Sequence, residues 1–92
     1  MIGEELREFV NRFNEDALFA DGFDNAVIGI VERFGMREPI VLYDRTKVIA
    51  ILMQHMSEEE AVEHFEFNII GAWMGDNTPA FATLWHPRKK AA

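Results

Sequence analysis

Leu6, Phe9, Val10 and Phe13 recur at i, i+3, i+4 and i+7 and lay one apolar stripe along a helix over residues 4–13, with an extension through Ala17 and Leu18 to about residue 20. The opposite face carries Glu4, Glu8, Asn11 and Arg12, with Glu8 and Arg12 spaced as an i,i+4 pair. Glu4 and Glu5 sit in the first turn, where the helix dipole favours negative charge. Residues 21–25 (Asp-Gly-Phe-Asp-Asn) then read as a turn.

The next two apolar runs, residues 26–31 and 40–43, are short, rich in β-branched side chains and bounded by Gly or Pro, which predicts strands. The stretch from Gly35 to Pro39 joins them as a hairpin longer than the tight two-residue kind. Pro39 suits the start of the second strand, where a missing N–H does not interrupt the ladder. Gly29, inside the first strand, predicts a bulge or a close approach by a helix. Near-continuous apolarity implies that parts of both sheet faces are covered.

Asp44 is placed to cap a helix running through about Met56, in which Val48, Ile49, Ile51, Leu52 and Met53 cover most of the circumference, as in a central buried helix. Ser57-Glu58-Glu59-Glu60 is a capping box. The helix it opens carries Val62, Phe65, Ile69 and Trp73 as one stripe and ends near Gly71 or Gly75. Residues 76–79 (Asp-Asn-Thr-Pro) form a turn. Residues 80–85 alternate Phe81, Thr83 and Trp85 against Ala82 and Leu84 as in a strand, although a helical turn gathering Phe81, Leu84 and Trp85 fits nearly as well. The expected class is α+β: an N-terminal helix, an antiparallel β-hairpin, two sequential helices packed on one face of a small antiparallel sheet, and a possible third strand near the C-terminus. Residues 1–87 make a single compact domain and 88–92 a loose basic tail; no repeat or low-complexity segment occurs.

Charge narrows the function. The net charge is −7, and residues 48–87 contain no Lys or Arg at all. Three of the nine bases are Arg88, Lys89 and Lys90, so residues 1–87 carry a net −10. A protein that tracks phosphates needs a concentrated positive surface, so direct nucleic-acid binding is not expected, and neither is binding to anionic membranes. The helix opened by Ser57 starts with three glutamates, which argues against a DNA-reading helix-turn-helix. The apolar runs are too short to span a bilayer, and the acidic start MIGEELREF does not read as a signal peptide. With no cysteine, disulfides, thiolate metal sites and a cysteine nucleophile are excluded together, and a reducing compartment such as the cytoplasm fits.

No reaction chemistry assembles from spacing. Ser57, the sole serine, is better used as a cap than as a nucleophile. Glu60 and His64, four apart on one helix, are candidate metal ligands with His55 or Glu59 nearby, but two-ligand spacing is common and no HExxH occurs. No metal or cofactor is therefore expected, and His86 beside Pro87 reads as a surface residue. Gly71 and Gly75 form GxxxG outside any apolar twenty-residue span and read as helix stops, and no phosphate loop is present. The aromatics Phe65, Phe67, Trp73, Phe81 and Trp85 read mostly as core, with part of the set available as an exposed anchor surface. Asn68 faces a turn or bonds within the core.

The run from Tyr43 to Met53 (Y-D…K-x-x-x-I-L-M) and the segment from Phe65 to Ala72 (F-E-F-N-x-x-G-A), followed by Thr78-Pro79-Ala80-Phe81, resemble a group of small hypothetical proteins of tailed phages and prophages. The likeness covers roughly residues 22–81. It implies a phage gene product working in a bacterial cytoplasm; no activity is attached to the group, so no site residue carries over. The leading expectation is a non-catalytic accessory module that binds a protein partner or itself, with Glu59, Glu63, Glu66, Trp73 and Trp85 as candidate contact residues. Two alternatives stay open. One is an acidic mimic of nucleic acid, using the Glu58–Glu66 face and Asp76; the other is a small metal- or carboxylate-dependent enzyme using Glu60, Glu63 and His64.

Overall fold

A computed structural model describes residues 2–88. Helix α1 spans Ile2–Asn11 and buries Val10 completely. It stops short of residue 13, and the extension towards residue 20 does not form. The Phe13 and Asn14 N–H groups both close on the Val10 carbonyl at 2.9 Å, and Asn14 then turns inward. Its side chain, 3% exposed, donates to the Pro39 carbonyl and to Asn77 Oδ1, each at 2.9 Å, and accepts from Asp16 N at 2.9 Å. Two tertiary partners and a local turn bond for one amide outweigh another helical turn. The Glu8–Arg12 pair does not form either; Arg12 lies over the Phe9 ring at 5.6 Å, and Arg7 pairs with Asp24 at 3.1 Å.

After a 3₁₀ turn at Asp24–Ala26, β1 (Val27–Val31) and β2 (Ile40–Asp44) pair antiparallel. The register moves from Val27↔Tyr43 to Gly29↔Leu42, leaving Ile28 as the extra residue of a bulge. Gly29 adopts φ +150° there, a conformation that disfavours a side chain. Nothing approaches its missing Cβ within 4 Å, so backbone conformation rather than helix contact calls for the glycine.

Asp44 caps α2 (Arg45–Leu52), its Oδ1 accepting from Thr46 N at 2.9 Å and Lys47 N at 3.4 Å. The helix ends near Leu52, and turns carry the chain to Met56. Val48, Ile49 and Leu52 are buried while Met53 is 43% exposed, so α2 is buried along one face rather than all round. Ser57 caps α3 (Glu58–His64): Glu60 N donates to Ser57 Oγ at 3.2 Å and Ser57 N donates to Glu60 Oε1 at 3.0 Å. The helix then widens into a π turn over Phe65–Ile69, with Ile70 N donating to the Phe65 carbonyl at 2.8 Å.

Strand β3 (Ala80–Ala82) lies beside β2 and parallel to it, through Leu42↔Ala80, Tyr43↔Phe81 and Asp44↔Ala82. The sheet order is β1-β2-β3, mixed rather than wholly antiparallel. Helices α2 and α3 form the crossover a parallel neighbour requires, and they return the chain to the end of the sheet where β2 began. Val10, Val41, Tyr43, Val48 and Phe65 are the largest fully buried side chains. On β2 the alternation is clear: Val41 and Tyr43 enter the core, while Ile40 and Leu42 are only partly covered. The Phe81 ring stacks on Tyr43 at 5.2 Å and meets Phe65 edge-on at 5.2 Å, which ties β3 to the core. The fold is α+β.

Candidate protein-binding groove

The π turn determines which side chains reach the surface after α3. The helix ends with this turn at Ile69, and residues 70–75 continue as turns and coil, so a helical stripe no longer governs which side chains face the core. Phe65 stays fully buried, Ile69 is half-buried, and Trp73 leaves the stripe altogether at 72% exposure. Phe67 (78%), Ile70 (50%) and Met74 (71%) are exposed with it. At Gly71 a Cβ would stand 2.7 Å from the Glu66 carbonyl, so the turn can close only with glycine at that position.

Beside this segment lies a groove of about 380 Å3. The coil through Leu18 and Phe19 forms one wall, Ile70 and Met74 the other, and Pro79 with Phe81 closes an end. Leu18 N donates to the Asn77 carbonyl at 3.2 Å, and Ala20 N donates to the Tyr43 hydroxyl at 2.6 Å, which fixes the first wall. Burial, with a further push from Asp24, raises the Tyr43 phenol above its usual value of 10; the Ala20 N–H and Arg7 pull the other way, and burial dominates. The second wall is held where Met74 N donates to Thr78 Oγ1 at 2.8 Å, while that hydroxyl donates to the Gly75 carbonyl at 2.7 Å. Asp21 is the one charged residue in the lining. A larger depression of about 590 Å3 runs past Arg12, Asn14, Asp16, Arg37 and Glu38. It is polar, carries both signs of charge, and its one buried side chain, Asn14, is already used in the fold.

The candidate contact residues fall on two surfaces. Glu59, Glu63 and Glu66 are exposed on and just beyond α3, with Glu66 3.7 Å from Arg45. Trp73 belongs to the exposed segment beside the groove, and Trp85 is 83% exposed beyond β3. Phe65 is core as expected and Phe81 is partly buried against it, but Phe67, Trp73 and Trp85 are not core. Asn68 is exposed and shares a 3.3 Å hydrogen bond with His64 Nδ1.

Comparisons with protein-family models, curated proteins and solved structures find no match to this chain.

Glu60 and His64 line a shallow depression with Met56, Glu63 and Phe67, but Glu60 is engaged in the cap. The Ser57 N–H and hydroxyl hold its carboxyl below the usual carboxylate value. Among the described residues no group of three or more His, Asp or Glu side chains is placed to hold a metal ion. No described helix is long and apolar enough to cross a membrane. Of the basic tail, residues 89–92 lie outside the described residues; Arg88 is exposed.

Ile70 and Met74 were not singled out from sequence, and Leu18 was assigned to the helix stripe rather than to a contact surface.

Proposed function

We propose that this protein is a non-catalytic binding module that engages a protein through the apolar groove and the segment from Phe67 to Met74. One observation carries the reading. Four large apolar side chains lie exposed within eight residues, at 50–78%, beside an apolar groove. Apolar surface left in water at this density is typical of interaction sites. The total accessible surface supports it: 7110 Å2, against about 5,500 Å2 for a folded monomer of this mass. The excess is about twice the ~800 Å2 that a standard interface removes from each partner. The resemblance of the Tyr43–Met53 and Phe65–Ala72 segments to phage proteins supports an accessory role in a bacterial cytoplasm.

The test is affinity capture from bacterial lysate in ~0.5 M NaCl, where exposed charge pairs are screened to a few ångströms and apolar contacts persist. A protein held by the native chain and released by both Trp73→Ala and Met74→Glu supports the reading. A protein held only at low salt, released by Glu59→Lys with Glu63→Lys and displaced by nucleic acid, would instead support the acidic mimic, for which the exposed glutamates of α3 speak.

A further inference from the structure

We propose that the groove is filled by residues 84–90 of a second copy of this chain, in a reciprocal exchange of tails. The inference rests on the binding reading above and names its partner. Leu84 is 42% and Trp85 83% exposed, and Arg88 is exposed close behind them. None of residues 83–88 contributes to the groove of its own copy. An apolar groove and an apolar segment are thus both left in water within one chain.

Charge matches the same pair. Residues 1–87 carry a net −10, whereas Arg88, Lys89 and Lys90 supply three of the nine bases. The groove has no Lys or Arg in its lining and carries Asp21 on its rim. Arg7, over the Phe19 ring at 4.4 Å, is paired with Asp24 at 3.1 Å. Two bodies of net charge −10 repel one another, and a basic segment laid between them offsets the repulsion. The exposed Phe67–Met74 segment cannot do this, since residues 48–87 hold no base.

Topology favours reciprocity. Phe81 belongs both to β3 and to the groove wall, so the tail starts at the groove's edge. Two copies set groove to groove place each tail root beside the other's groove, and six residues reach about 20 Å when extended. A two-fold exchange closes on itself and forms two identical contacts instead of an open chain. A buried tryptophan covers about 150–250 Å2, so two tails with the facing segments approach the area a stable dimer needs.

Sedimentation velocity on the full chain, across micromolar to millimolar concentration, reads the result. The native chain is expected to dimerise, while Trp85→Ala and Met74→Glu each weaken the dimer by about thirtyfold, the cost of truncating an interface anchor. Both residues are exposed, so neither substitution threatens the fold. Mixing the two variants leaves one intact tail–groove pair, and the mixture is expected to dimerise better than either alone. The peptide Thr83-Leu84-Trp85-His86-Pro87-Arg88-Lys89-Lys90 is expected to bind Trp85→Ala protein and not protein that also carries Met74→Glu. A native chain that stays monomeric, or variants that dimerise like it, would overturn the proposal. If Met74→Glu nevertheless releases a captured cellular protein, the occupant was wrong and the binding reading stands. If it alters neither, both fall.

Discussion

Asn14 and Tyr43 show how single polar groups hold the irregular parts of this molecule. Asn14→Ala leaves the Pro39 carbonyl and Asn77 Oδ1 without their donor inside the fold. It is expected to cost about 1–3 kcal/mol, read as a lower urea midpoint at unchanged slope. Tyr43 is the only tyrosine, so its tyrosinate absorbance titrates it without ambiguity. Burial raises its folded pKa above 10, so the folded state keeps a proton that the unfolded chain releases. The stabilisation is complete below pH 10 and is lost as pH rises through the folded value. Stability is therefore expected to fall on the alkaline side, and Tyr43→Phe to flatten that limb while costing about 0.5–1.5 kcal/mol near neutrality for the lost bond to Ala20. An alkaline limb unchanged in Tyr43→Phe would contradict this account.

Two junctions govern the α3 element. At its start, Ser57→Ala is expected to destabilise the fold by about 0.5–2 kcal/mol. Because the cap holds the Glu60 carboxyl below its usual value, its contribution is present above pH 4.5 and fades as pH falls through the lowered value. Ser57→Ala should therefore narrow the stability difference from native as the solution is acidified, measured by denaturation midpoints along a pH series. At its far end, the π turn closes only with glycine. Gly71→Ala drives a Cβ against the Glu66 carbonyl, at an expected cost of about 1–3 kcal/mol. The cost is read as a lower urea midpoint at unchanged slope.

On the scale of the whole molecule, the Cα radius of gyration is 14.6 Å, where a compact domain of 92 residues has about 12 Å. The core is small: nine buried apolar residues among those described, with Tyr43 and Phe65 the largest. Such a molecule gains stability from whatever covers its groove, through mass action. Its melting temperature is accordingly expected to rise with protein concentration in the native chain and to lose that dependence in Met74→Glu. Metal gives a contrasting expectation. Chelator should leave the melting temperature unchanged and one equivalent of zinc should not raise it; a saturable rise abolished by His64→Ala would restore Glu60 and His64 as ligands.

The capped helices, the hairpin and its bulge were legible in the chain because their causes are local. Asp44 and Ser57 act on N–H groups two or three residues away, and Gly29 answers to its own backbone angle. What tertiary structure decided involves distant partners. Helix α1 ends at Asn11 because Asn14 finds acceptors 25 and 63 residues away, which no helical period encodes. Strand β3 runs parallel to β2 because the two intervening helices return the chain to the end of the sheet where β2 began, and a three-residue alternation does not specify direction. The aromatics were sorted the same way. Phe65 and Phe81 pack together around Tyr43, while the helix ends at Ile69 and leaves Trp73 in water on the coil beyond it, and hydrophobicity alone does not distinguish the two outcomes.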